Sequence, residues 1–498
     1  MPVHARSTII DSADIVIIGN GIAGITAALE ARRIAPEARI AIITEQSHPT
    51  INTPILKQFA TGKLTREQLL VYPAGTEPAQ RIHVIKAHVE KIKSQDKFVC
   101  LSNGQGFGYG ALLLATGSTP SGLPRHLPGR DFDGVLTPHR LSDYLDLRRR
   151  LREVKEAAVI GGGIHAIETV MSLLYSGMRI HWLIRGERFL PRMLDRQAST
   201  MVLESSRRAG ARVYTDTEVV GIIGKVGAVA GVVTNHGETI PCQMVLACTG
   251  TAPVTTLAES CDVPITHKHG ILVDDQLHTS VHDIYAAGDV AALENPQTGA
   301  YERRAHWHAA TLQGSVAAAI MTGHDDLAVP FGISWHATDL GKFSLLTAGN
   351  PLDEAEGVEH FTDSSKGNYR RISISDDRLI GYLSLGSSQP DSLAIKRIID
   401  EELPIGDIKK ALLKGDFDAR QYYSQRRSRT LHTVVTTGKL AVPKLPDSVS
   451  LREQLFRNTE PLLPVLAGNH MDAAPGGYSF ASRSGNKQRQ QRSRFACL

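Results

Sequence analysis

The order of apolar and polar residues along the chain writes one pattern twice. Residues 15–18 (Ile-Val-Ile-Ile) form an unbroken β-favouring run, as expected of a parallel strand covered on both faces. Gly19, Gly21 and Gly24 interrupt it, residues 22–33 continue with a helical period, and residues 39–45 form a second strand ending in Glu45. The order returns at residues 157–160, followed by Gly161, Gly162 and Gly163, a helix from Ile164 to near Gly177, and a strand over 179–185. Between the two copies the pattern predicts a strand over 83–89, a hairpin over 90–101 and an apolar strand over 111–115 halted by Thr116 and Gly117. A linker rich in glycine and proline and a charged helix over 141–155 follow.

Beyond the second copy come an amphipathic helix over 195–209, a strand at 212–214 and a meander over 218–246 that closes on Gly250 and Pro253. A strand reaching Gly288-Asp289 and a helix over 305–321 lead the chain back toward the first unit. Residues 330–403 carry short alternating strands, two of them joined at Asp376-Asp377, and a helix over 392–402. A weak helical pattern over 408–429 gives way to a proline-containing stretch without sustained period.

The duplication predicts an α/β fold: two Rossmann-like dinucleotide-binding domains, the second inserted in the first, and a small α+β domain at the C-terminal side. The expected boundaries are 12–140 and 271–329 for the first domain, 141–270 for the second, 330–405 for the third, and 406–498 for a partly disordered extension. In each glycine motif the residues have separate tasks. Gly19 permits the tight turn, Gly21 admits a pyrophosphate against backbone, and Gly24 lets helix pack on strand. The first-turn N–H groups, at Ile22 and Ala23 and again at Ile164 and His165, present the positive end of a helix to phosphate. Glu45, 21 residues after Gly24, is placed to accept from a ribose.

Composition adds little to this and excludes several alternatives. The 498 residues carry a net charge of +4, 42% hydrophobic and 21% charged residues, which does not point to a nucleic-acid partner. No apolar run is long enough for a membrane helix and the first residues lack a signal core, so a cytoplasmic protein without membrane attachment is expected. The cysteines at 100, 242, 248, 261 and 497 form no CxxC pair, and Cys242 and Cys248, an even number apart, are expected to share a strand face. Residues 482–494 hold five basic residues and no acidic one, read as a disordered stretch.

Taken together, Gly19 to Gly24 with Glu45, Ala115-Thr116-Gly117, Gly161 to Glu168, Gly250 to Pro253 and Gly288-Asp289 resemble a known set. It is that of the FAD-dependent pyridine nucleotide-disulfide oxidoreductases, and the resemblance covers roughly residues 12–400. Within that superfamily the chain is similar to NADH–rubredoxin reductases and to the flavin part of the assimilatory nitrite reductase large subunit. The resemblance implies FAD in the first unit, held by Gly19, Gly21, Ile22, Ala23, Gly24, Glu45, Lys57, Val89, Ala115, Thr116, Gly117, Gly288, Asp289 and Trp307. It implies NADPH or NADH in the second, at Gly161, Gly163, Ile164, His165, Glu168, Arg185, Arg188 and Gly250. Two features of particular relatives are absent: the redox cysteine of disulfide reductases, since no cysteine stands between Pro49 and Lys63, and the cysteine cluster that follows the flavoprotein part in full nitrite reductases. The acid expected at the end of the second unit's second strand is replaced by Ile184, with Arg185 next and Arg188 one turn on. A guanidinium suits a 2′-phosphate, so NADPH is favoured over NADH.

The catalytic candidates are Lys57 and Glu168. Family members set a lysine of the flavin loop against a glutamate of the second helix. Here Glu168 matches, while Gln58 occupies the lysine position and Lys57 is one residue off. His165 and Glu168 lie three apart on a helix, but no third ligand accompanies them and no metal is expected. The leading expectation is hydride transfer from NAD(P)H to FAD and onward delivery to an external acceptor, a small iron–sulfur protein or an oxygenase, with a homodimer left open. The rival expectations are direct reduction of a small molecule such as a quinone or oxygen, and a flavin-binding accessory or redox-sensing subunit.

Overall fold

The computed structural model describes residues 8–295, 298–365, 367–387, 389 and 392–426. The basic stretch over 482–494 and Cys497 lie outside the described residues.

The first glycine motif sits at the centre of a parallel sheet. Strand Thr8–Ile18 runs between Ile40–Thr44 and Gln105–Leu114, with Ile82–Lys86 beyond Ile40–Thr44. The far edge of Gln105–Leu114 is shared: its first half pairs antiparallel with Phe98–Leu101, and its last residues pair parallel with Ile284–Ala286. Chain from beyond residue 271 therefore completes a sheet begun at residue 8. Helix Trp307–Met321 closes the unit against helix Ile22–Ile34, and Gly314 makes that approach possible, since a Cβ there would stand 2.4 Å from the Ala23 carbonyl oxygen. The expected strand over 83–89 is two strands. Ala87 donates to the Thr44 carbonyl, the chain turns at His88, and Val89–Lys93 opens the hairpin with Phe98–Leu101.

The second parallel sheet has the order Arg212–Tyr214, Arg179–Leu183, Glu156–Ile160, Met244–Ala247, Val135–Leu136. Its strand Val135–Leu136 comes from the linker ahead of helix Leu141–Arg150, and helix Ile164–Tyr175 follows the glycine turn. Helix Leu141–Arg150 stops short of residue 155, with Arg150 folded back onto Asp146 and Asp133.

One expectation is corrected here. The meander holds Val219–Lys225, Ala228–Thr234 and Thr239–Pro241, but Met244–Ala247 leaves it for the parallel sheet. The change of sheet at Gln243 breaks the two-residue alternation. Cys242 therefore packs with Val245 and Ala247, whereas Cys248 lies with Met244 and Leu246 in a different core.

The two units are stitched by a short antiparallel pair, Ser118–Pro120 with Thr251–Pro253. The C-terminal part is an antiparallel five-stranded sheet, ordered Trp335–Leu340, Phe343–Gly349, Arg378–Gly386, Asn368–Ser375, Glu359–Ser365. Helices Ser392–Asp400 and Lys409–Lys414 bury Ile395, Ile398, Ile399 and Leu412 in the core beside it. Asp376 and Asp377 both adopt left-handed backbone at the hairpin tip.

Candidate functional site: two glycine cradles and the junction between them

The first cradle is dictated by close approach. Gly19 has φ 110° and a Cβ there would lie 2.3 Å from the Ala115 carbonyl oxygen; one on Gly24 would lie 2.0 Å from that of Gly19. Gly21, by contrast, has open space where a Cβ would go. Strand, turn and helix are thus locked together while the loop face stays clear for a phosphate-sized group, which fits a dinucleotide. Ile22 and Ala23 open the helix at this loop. Glu45 stands exposed at the end of its strand, 3.1 Å from His88 Nδ1, and the buried Val89 follows.

At the other side, Thr116 donates its hydroxyl to the Val254 carbonyl at 2.8 Å, and Gly117 turns the chain into the stitching pair. Ser118 donates to Asp289 Oδ2 at 2.8 Å, and a ring nitrogen of His139 lies 2.9 Å from the Ser118 carbonyl oxygen. Gly288 takes φ 83° and donates its N–H to Gln313. Trp307 begins the returning helix, whose N-terminus is capped by His306.

The second cradle repeats the geometry. A Cβ on Gly161 would lie 2.1 Å from the Cys248 carbonyl oxygen, whereas Gly163 has open space, and Ala166 is fully buried where Gly24 stood in the first copy. Gly250, with φ 99°, also faces open space.

Strand register adjusts the reading of the missing acid. Ile18 pairs with Ile43 and Ile160 with Leu183, so Thr44 corresponds to Ile184 and Glu45 to Arg185. Ile184 is buried against Gly162. An exposed arginine therefore stands in place of the first unit's exposed carboxylate. Arg188 is half-buried on the loop that returns over Gly162, and neither arginine makes an ion pair among the described residues.

Between the cradles three parts of the chain meet. Lys57, on the short helix Leu56–Ala60, places Nζ 2.7 Å from Glu168 Oε2, and Thr338 of the C-terminal sheet donates to Glu168 Oε1 at 3.3 Å. Of the two adjacent candidates for the lysine position, it is Lys57 that reaches the glutamate. Its helix is held from behind by Arg148, which stacks on Phe59 at 4.8 Å and donates to its carbonyl.

His165 lies on the same face of its helix as Glu168, and its Nε2 is 2.9 Å from the Tyr144 hydroxyl. Burial first, then the Lys57 and His139 charges, push the His165 imidazole down to about 3. Burial pushes the Cys248 thiol, 3.8 Å from Thr169 Oγ1, up to about 11, so it is held as a thiol. His306 is pushed down to about 3 by burial and by His336, His308 and Arg304, and its ring meets His336 edge-on at 5.3 Å.

Tyr144, His139 and Ser118 were not singled out by sequence reasoning, and Thr338, within Ala337-Thr-Asp-Leu340, entered only as a detail of the family resemblance with no role. No spacing signal connects them to the glycine motifs; only folding sets them there.

Two parallel sheets each led by a glycine cradle, joined through an ion pair, define a two-nucleotide flavoprotein architecture. The pyridine nucleotide-disulphide oxidoreductase family model matches residues 13–314, and the chain belongs to that family. It is an oxidoreductase that uses FAD and NAD(P)H. It is 27% identical over 311 residues to a rubredoxin-NAD(+) reductase of Pseudomonas putida, covering 62% of this chain and 80% of that one. To the ferredoxin–NAD(+) reductase subunit of a benzene 1,2-dioxygenase system from Pseudomonas putida it is 28% identical, covering 80% of this chain and 95% of the relative. A ferredoxin reductase structure from Rhodopseudomonas palustris superposes with a TM-score of 0.68 at 27% identity, over 75% of this chain and 91% of that one.

Proposed function

We propose that the chain takes hydride from NAD(P)H and delivers electrons to a separate redox protein, a small iron–sulfur or rubredoxin-like carrier or an oxygenase component. The observation that carries this reading is the junction. Lys57 and Glu168 meet between the two cradles, and the flavin-loop segment from Pro49 to Lys63 supplies no cysteine for a thiol relay. The names of its relatives support the same acceptor class. No helix among the described residues is long and apolar enough to cross a membrane, and a cytoplasmic location belongs to the reading.

Bound FAD would supply a hydride acceptor able to pass electrons onward to the carrier. The residues of this chain hold and orient. Gly19, Gly21, Ile22, Ala23 and Gly24 cradle the FAD pyrophosphate, while Glu45 and Val89 line its adenosine end. Ala115, Thr116, Gly117, Gly288, Asp289 and Trp307 border the flavin end. Gly161, Gly163, Ile164 and His165 receive the nicotinamide dinucleotide, with Gly250 on the opposite wall. Arg185 and Arg188 sit where a 2′-phosphate would find a positive field, which favours NADPH. Lys57, neutralised by Glu168, would offer a bound flavin a compensated positive charge, and Thr338 fixes the carboxylate's orientation.

Anaerobic mixing of the yellow holoprotein with NADPH tests the reading: bleaching is expected, and no bleaching by NADPH or NADH defeats it. Turnover with a ferredoxin or rubredoxin should exceed turnover with small quinones; the reverse would establish direct small-molecule reduction instead. Arg185→Ala with Arg188→Ala should raise KM for NADPH by at least about tenfold, the worth of a single charged contact. An equal rise for NADH would remove the NADPH preference.

A further inference from the structure

Helix Ile164–Tyr175 carries a histidine where it leaves the second glycine loop. His165 stands between that loop and Glu168, which lies one turn further on and meets Lys57. A dinucleotide with its pyrophosphate on the loop and its nicotinamide at the junction would run its nicotinamide-nucleoside half along this first helical turn. The inference rests on the reading that the second unit binds NAD(P)H.

What the imidazole offers is decided by Tyr144, from helix Leu141–Arg150. The phenol is buried, 3% exposed, and its hydroxyl oxygen lies 2.9 Å from His165 Nε2. Burial foremost, then Cys248, Glu168 and Asp143, hold its ionisation well above the ordinary tyrosine range. Nε2 is the one hydrogen-bond partner of this hydroxyl among the described residues, so the buried O–H satisfies its proton by donating there, and the ring proton is left to Nδ1. Nδ1 has no hydrogen-bond partner among the described residues.

The surroundings keep the ring uncharged. Lys57 and His139 face it with positive or potentially positive groups, Glu168 is already taken by Lys57 and Thr338, and Tyr144 and Cys248 are held neutral. An imidazolium here would stand beside Lys57 and would also repel the cationic ring of an oxidised nicotinamide. A neutral N–H donor avoids both costs.

We propose that Tyr144 locks His165 in the Nδ1–H tautomer, and that this uncharged donor recognises an acceptor oxygen on the nicotinamide-nucleoside half of the bound dinucleotide. His165 is then a specificity-determining residue for that half, and Tyr144 a positioning residue acting through it.

The test titrates the oxidised FAD-loaded protein with two half-ligands, nicotinamide mononucleotide and 2′,5′-ADP, alongside NADP+. Tyr144→Phe and His165→Leu should weaken nicotinamide mononucleotide by about three- to tenfold, the worth of one hydrogen bond, and leave 2′,5′-ADP unchanged. His165→Asn, whose amide N–H falls near the position of Nδ1, should recover most of the loss. Nitrogen NMR of the histidine-labelled protein should show His165 as the Nδ1–H tautomer, and Tyr144→Phe should shift it toward a mixture.

Equal weakening of both half-ligands would overturn the proposal, since it would mark a distorted glycine loop. So would unchanged affinity in both variants, or an Nε2–H tautomer in the native protein. A native protein that binds neither half-ligand nor NAD(P)H defeats the functional reading itself and the proposal with it; normal binding with unaffected variants defeats the proposal alone.

Discussion

At the scale of single residues, the junction is the part of the site that most needed folding to be read. Glu168 was legible from the second motif. Lys57 was named as its partner although it stands one residue off the family's lysine position; one helical residue changes direction by about 100°, and the packing of Leu56–Ala60 is what turns Lys57 toward Glu168. Lys57→Gln and Glu168→Gln should each slow anaerobic hydride transfer by about tenfold, equivalent to about 1.4 kcal/mol of barrier. The thermal midpoint should move by only a few degrees. An unchanged rate in both would remove the pair from the chemistry.

The histidines make a prediction about acid. His165 and His306 have folded values of about 3, below the ordinary imidazole range. The unfolded chain takes up these protons from about pH 6.5 downward while the folded one does not. Their contribution is therefore complete above that pH and is lost progressively toward pH 3, at about 1 kcal/mol per pH unit for each group. Denaturation at pH 7 and pH 5 should show the loss, and the double variant His165→Asn with His306→Asn should show a shallower decline.

At the scale of elements, the two glycine turns were legible because the constraint is local. Strand, tight turn and helix must follow one another within a few residues, and only glycine fits where a Cβ would strike a carbonyl oxygen. The second cradle separates packing from binding. Gly161→Ala places a methyl 2.1 Å from the Cys248 carbonyl oxygen at φ 141°, so it should cost about 1–3 kcal/mol in urea denaturation. Gly163→Ala meets open space and an extended backbone, so stability should hold within about 0.5 kcal/mol while NADP+ affinity falls. Equal stabilities would reject this division of roles. The strand Met244–Ala247 was misassigned to the meander because β-favouring composition does not say which sheet a strand joins.

At the scale of the whole molecule, the C-terminal sheet shares a core with the second unit, and among the polar ties between them two bear on the site and its stability. One is Thr338 on Glu168. The other is a buried knot in which Tyr369 donates its hydroxyl to Asp195, and Arg371 lies 3.6 Å from the same carboxylate. Asp195 also caps helix Arg196–Arg208 by accepting from Ala198 N–H at 2.9 Å. Asp195→Ala loses the cap and leaves the buried Tyr369 hydroxyl unmet, so it should destabilise more than Tyr369→Phe, which costs about 1–3 kcal/mol. Equal losses in urea denaturation would show that the knot, not the cap, dominates.

The sequence by itself determined the fold class and both cradles, because glycine spacing, apolar runs and terminal acids encode local geometry directly; the two cofactors followed from the family resemblance. It also showed the loss of the second unit's acid. Tertiary structure alone decided that Arg185 corresponds to Glu45, that Lys57 rather than Gln58 reaches Glu168, and that Tyr144, Thr338 and His139 stand around the junction. Those facts depend on strand register and helix rotation between segments 21 to 170 residues apart. No local spacing rule connects such segments; the packing of one unit against the next does.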